Sequence, residues 1–184
     1  MKFFQNRAVA IVITVAAVIA STLLNVNTNM RRDYTTLKES FFSVSGKTPV
    51  YYVDAQISAA ASLATVADHY DSLSGDAVRS ARKALIEAEA SWDISDIYDA
   101  STALSSAVDE LSAAAASVSL SEADKATFAD GTAAVAGARR NLLESDYNVN
   151  AYRMIRKNYS RLPGSFFVSL LHIPQPELFG EVNG

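Results

Sequence analysis

From Ala8 to Leu24 the chain reads AVAIVITVAAVIASTLL, an apolar run without a charge. Its length sits at the short end of what a helix needs to cross a bilayer, and Val26 with flanking amides extends it. Beyond it the pattern turns from continuous to periodic. The polar stretch Met30 to Phe42 carries the first helix beyond the membrane, which SVSGKTP (Ser43 to Pro49) should break, since Gly favours a turn and Pro cannot continue a helix from within. A second helix is predicted over Tyr51–Tyr70, with Val53, Ile57, Ala60, Ala64 and Ala67 at steps of three and four. DSLSGD interrupts it, and Ser74 or Asp76 caps a restart. Val78, Leu85 and Trp92 then recur every seven, with Ala81 and Ala88 between them.

After WDISD, with Ser95 as the expected N-cap, Ile97, Leu104, Leu111 and Val118 repeat at seven beside Ala100, Ala107 and Ala114. Ser121 and Asp124 have capping-box spacing. They open a last helix expected to be the longest, Glu122 to Arg161, with a seam of Phe128, Val135, Leu142 and Val149 and with Gly131, Ala138, Ser145 and Tyr152 interleaved. Sevenfold spacing on successive segments with short breaks predicts an all-α fold: an antiparallel long-helix, four-helix-type bundle behind one N-terminal transmembrane helix. No period-two strand or solenoid repeat competes with it.

The N-terminal run has two readings. Lys2 and Arg7 could be the charged region of a cleaved signal peptide ending at Val18-Ile19-Ala20. The run instead continues past Ala20 and closes on Arg31-Arg32, which favours a retained signal anchor, residues 1–29, touching membrane lipid through residues 8–24. Residues 30–184 are then the bundle with an apolar C-terminal tail. Basic charge is nearly balanced across the run; the leading basic region slightly favours a body outside the cytoplasm.

Composition sharpens this picture. Alanine crowds the middle (AQISAAASLATVA, LSAAAASV), and alanine has the least to lose on entering a helix. A net charge of −4 and a pI near 5.1 argue against broad nucleic-acid binding. Without cysteine there is no disulfide, thiolate nucleophile or Cys-type zinc site.

Candidate chemistry is thin. His69 and His172 lie in no ligand spacing, and His69 beside Asp68 and Asp71 reads as a solvated helix-end residue. No serine stands in Gly-x-Ser-x-Gly or Ser-x-x-Lys context, and no Gly-rich phosphate loop exists. The carboxylates at Glu87, Glu89, Asp93, Asp96 and Asp99 read as a solvated face and as charges at helix starts. Arg139-Arg140 and the cluster Arg153, Arg156, Lys157 and Arg161 fit a helix C-terminus, or anionic headgroups if that end faces a membrane. The tail FFVSLLHIPQPELF is too short to span and reads either as a cover for the bundle's open end or as an interfacial or partner-binding segment. Pro163 should end the last helix and Gly164 let the chain turn.

The order of these features resembles the LemA family, in particular its shorter bacterial members. The matching residues are Ala138-Arg139, Tyr147-Asn148, Leu162-Pro163-Gly164 and Leu178-Phe179, together with LATVADHY and LSEAD earlier in the chain. The family's Arg-Arg-x-Asp-Leu-Ile-Pro-Asn segment is replaced here by TPVYYVDAQISAAASLATV, and Tyr152 is followed by Arg153 where the family has a second Tyr-Asn pair. The resemblance implies a membrane-anchored bundle without cofactor or agreed enzymatic activity, with Arg139, Tyr147, Asn148, Pro163, Gly164 and Phe179 as structural motif residues. Tyr147 and Asn148 are expected to pack and hydrogen-bond between helices. The expected function is a non-enzymatic scaffold or interaction module at the plasma membrane, with an unidentified protein or a second copy of the chain as partner. The alternative is a sensory or ligand-binding extracytoplasmic bundle acting through a partner.

Overall fold

A computed structural model describes residues 7–43 and 47–180, all helix and connection with no strand among them. Lys2 of the basic flank and Gly46 of the expected first break lie outside the described residues. The helices are α1 (Arg7–Phe42), α2 (Pro49–Ala67), α3 (Asp76–Ser91), α4 (Ile94–Ala115), α5 (Glu122–Leu143), α6 (Asp146–Met154) and α7 (Gly164–Leu171), with a π-helical turn at Ile155–Tyr159 before α7. The chain divides into two compact units. One holds the residues up to Lys38 with Arg153–Pro176, the other Glu39–Tyr152 with the residues from Glu177 onward.

The second unit is an antiparallel four-helix bundle of α2, α3, α4 and α5, in which α2 packs on α5 and α3, and α4 on α3 and α5. Its direction is visible in single bonds. The end of α2 meets the start of α5, where the Tyr70 hydroxyl donates to Asp124 at 2.7 Å. Arg82 reaches back from α3 to the Ile57 carbonyl of α2 at 2.9 Å. Val78, Leu85, Ile97, Leu104, Val135 and Leu142 form the core at sevenfold spacing, joined from α2 by Val53 and by Leu63, while the expected Ile57 is only half-buried. Gly131 lets α5 lie on Leu63 of α2: a Cβ there would stand 2.9 Å from the leucine side chain.

Several boundaries differ from the sequence expectation. The longest helix is α1 at 36 residues, whereas α5 stops after 22 at Leu143. The side chain of Asn148 donates to the Leu143 carbonyl at 2.9 Å, satisfying a group that a continuing helix would bond itself. The restart at Asp146 offsets the inward face by one residue. Tyr147, Asn148 and Ala151 are buried, while Val149 (51% exposed) and Tyr152 face outward. Trp92 also leaves its expected seam. It takes a left-handed conformation (φ 58°) at the end of α3 and stacks on Phe42 at 4.4 Å. Asp93, rather than Ser95, caps α4, accepting from the amides of Ser95 and Asp96. Ala115 is buried in place of the expected Ala114, and Val118 lies past the end of α4.

In the other unit, α1 carries one helix long and apolar enough to cross a membrane, and none of its 18-residue apolar window is buried. α7 packs on the π-helical turn. Pro163 and Gly164 start this helix rather than ending the previous one, which has already stopped at Tyr159. A proline at a helix start forfeits no needed N–H. Gly164 is required because the Asn158 backbone lies where a Cβ would go, with its carbonyl oxygen 2.6 Å away. The peptide between Leu162 and Pro163 is cis. The Tyr159 hydroxyl donates to the Pro174 carbonyl at 2.6 Å, and Arg31 of α1 donates to the Leu171 carbonyl at 3.2 Å.

Candidate functional site: a clasp on the C-terminal tail

The α5–α6 break has a second consequence. It presents Tyr147 and Asn148 side by side toward the segment Glu177–Gly180 of the same unit. Asn148 accepts from the Phe179 amide through Oδ1 at 2.9 Å and donates to the Phe179 carbonyl through Nδ2 at 2.9 Å. A carboxamide has the donor and acceptor of a peptide group, so it satisfies both main-chain groups of Phe179. The Tyr147 hydroxyl donates to the Glu177 carbonyl at 2.7 Å.

Side chains of the tail complete the clasp. The Glu177 carboxylate accepts from the Ile94 amide at 2.9 Å, placing a negative charge at the start of α4 beside Asp93. Phe179 is fully buried. Its ring meets Tyr98 edge-on at 5.3 Å and lies 6.3 Å from Phe41, which itself meets Tyr147 edge-on at 5.1 Å. Gly180 follows with φ 89°, where a Cβ would lie 2.7 Å from Leu143.

Three of the six motif residues therefore converge, namely Tyr147, Asn148 and Phe179. Pro163 and Gly164 serve the turn before α7 in the other unit. Arg139 joins neither group; it donates to the Thr102 hydroxyl at 3.1 Å across to α4. Sequence reasoning missed Phe41, Tyr98, Glu177 and Gly180. Phe41 and Tyr98 carry no pattern beyond aromatic residues near helix ends, and only the Glu-Leu-Phe-Gly order marks the last two.

Beside the clasp the bundle unit holds a polar cleft of about 420 Å³, lined among others by Lys47, Thr48, Tyr52, Glu144, Ser145 and Asn150. At the other end of the bundle, Asp124 collects the hydroxyls of Tyr70 and Ser121 and His69 Nδ1 (3.1 Å). These contacts, led by the Tyr70 hydroxyl, hold its carboxyl below the ordinary carboxylate range. His69 is thus paired across helices rather than only solvated. The Ser121–Asp124 capping box is half formed: Ser121 Oγ accepts from the Asp124 amide, while the Ser121 amide goes to the Tyr70 hydroxyl. Among the described residues no group of three or more His, Asp or Glu is arranged to hold a metal ion. What the clasp does is fasten the segment Glu177–Gly180 to the bundle and set the two aromatic motif residues. No family model, curated protein or solved structure matches the chain.

Proposed function

We propose that the chain is a non-enzymatic, single-pass plasma-membrane protein of the LemA-like type, a scaffold or interaction module at the cell envelope with its body outside the cytoplasm. The observation that supports it is α1. Its apolar window is uncovered by the rest of the chain, and the helix runs on without interruption to Phe42, well past the apolar run. The fastened tail fits a body built to present a fixed surface. Extraction with alkaline carbonate tests the anchor: the full chain stays in the membrane fraction, and a chain lacking residues 1–29 is released. Release of the full chain, or retention of the truncated one, sinks the single-span reading. Gentle crosslinking in membranes then identifies the partner, whether another protein or a second copy.

The polar cleft favours a second reading, a ligand-binding bundle that signals through a partner. Thermal-shift screening with anionic metabolites separates the two, because a pure scaffold shows no specific stabilisation.

A further inference from the structure

We propose that the segment from Arg153 to Leu171 is a second membrane contact, a strap lying on the anionic headgroup surface of the bilayer that α1 enters. The proposal rests on the reading of α1 as a membrane anchor.

Three observations carry it, all within one compact unit. The first is charge. From Arg153 to Pro176 the chain contains no Asp or Glu, yet it carries Arg153, Arg156, Lys157 and Arg161, in a protein whose net charge is −4. All four are exposed.

The second is an uncovered apolar stripe. Phe166 (56% exposed) and Leu170 (49%) lie four apart on one face of α7, and Leu162 (81%) is exposed in the turn that leads into it. Between Phe166 and Leu170, Phe167 and Val168 are half-buried, and Ile173 just past the helix is buried. A short helix with an apolar face and adjoining cations is the form that settles between headgroups and acyl chains.

The third is position. The guanidinium of Arg31 is held by Asn27 Oδ1 at 2.8 Å and donates to the Leu171 carbonyl at 3.2 Å, a cation on the C-terminus of α7. Arg31 lies seven residues beyond Leu24, the end of the apolar run. At the helical rise that is about 10 Å, which sets Arg31 at the outer edge of a headgroup layer about 5–8 Å deep. If α1 spans, α7 is therefore tethered at the membrane surface with Leu162, Phe166 and Leu170 uncovered. A bilayer with anionic lipid fits the stripe and the cations together, and the tether already places it there.

The chain has no cysteine, so single-cysteine variants take one fluorophore each. We would label Val12→Cys, Phe166→Cys and Leu170→Cys in the full chain with an environment-sensitive dye. Each would be reconstituted in phosphatidylcholine vesicles, with and without phosphatidylglycerol at about a 2:1 ratio, and quenched by spin-labelled lipid. The expected result is quenching of Val12 in both compositions, and of Phe166 and Leu170 with the anionic lipid. Omitting that lipid, or introducing Arg156→Gln, Lys157→Gln and Arg161→Gln together, should cut the latter roughly threefold or more. Quenching at Val12 without quenching at Phe166 and Leu170 overturns the strap and leaves the anchor standing. Quenching at both that is indifferent to lipid charge overturns the anionic surface as its partner. No quenching at Val12 removes the anchor, and the strap with it.

Discussion

The side chain of Asn148 pairs with the main chain of Phe179 on both sides, accepting its N–H and donating to its C=O, each at 2.9 Å. The same amide nitrogen also donates to Leu143 at the end of α5. One residue thereby stops a helix and fastens the segment around Phe179. Each of the three bonds lies in a buried or half-buried place, where a lost partner leaves a polar group without water.

Replacing Asn148 by Ala should therefore cost about 2–4 kcal/mol, since it orphans buried main-chain groups rather than merely deleting a contact. Asn148→Asp should also destabilise, because a carboxylate keeps the acceptor for the Phe179 amide but opposes two carbonyls. Denaturant unfolding measures both, and limited proteolysis near Glu177 should show the tail released first. Unchanged stability and an unchanged cleavage pattern in Asn148→Ala would refute the clasp.

Much of the bundle was legible because burial at sevenfold spacing is a property of the helices themselves: Val78, Leu85, Ile97, Leu104 and Leu111 all lie inside. The α5–α6 break was not. It depends on Asn148 finding a carbonyl five residues back and a backbone 31 residues ahead, and no local periodicity encodes the second contact. Tyr147, Asn148 and Phe179 stood out through the family resemblance alone. Phe41, Tyr98 and Glu177 join them only by tertiary packing, so nothing in their neighbourhoods announced them. Gln56 occupies a seam position between Val53 and Ala60, but a pattern of apolar residues passes over a buried amide.

Gln56 is fully buried, with Oε1 accepting from the Ser101 hydroxyl of α4 at 2.8 Å and Nε2 bonded to nothing among the described residues. A buried amide nitrogen without a partner costs more than the bond beside it returns. Gln56→Leu alone should destabilise by about 1 kcal/mol by stranding the Ser101 hydroxyl. Adding Ser101→Ala should recover that loss and bring the protein to at least native stability. A double variant clearly weaker than either single one would show that the pair is needed in the core.

Two carboxylates should move stability in opposite directions with pH. Asp124 is held below its ordinary value of 3.8 by the Tyr70 hydroxyl first, then by Ser121 and His69. Its contribution is present above 3.8 and is lost as pH falls through the lowered folded value, so the Tm deficit of Asp124→Asn at neutral pH should shrink on that acid side. Glu89 is raised above its ordinary value of 4.5, by burial first and then by Asp54. Its contribution is present below 4.5 and is lost as pH rises through the raised folded value. Glu89→Gln should therefore gain Tm at neutral pH, a gain that vanishes below 4.5. Melting curves of the two variants across this range check both signs.

The last pair of substitutions separates backbone cost from packing cost within one helix. Gly131 and Gly137 both lie in α5, where glycine is worth about 1 kcal/mol less than alanine. A Cβ at Gly137 meets nothing within 4 Å, so Gly137→Ala should stabilise by roughly that amount. At Gly131 the same methyl would lie 2.9 Å from both Cγ and Cδ2 of Leu63, a side chain fully enclosed between helices. Forcing that leucine aside costs about 1–3 kcal/mol, which outweighs the propensity gain, and Gly131→Ala should destabilise. Shrinking the partner with Leu63→Val should return part of the loss in the Gly131→Ala background while costing stability in the wild type. Additive effects of the two changes in denaturant unfolding would show that α5 does not rest on Leu63 at this point, and that the small residue there has another cause.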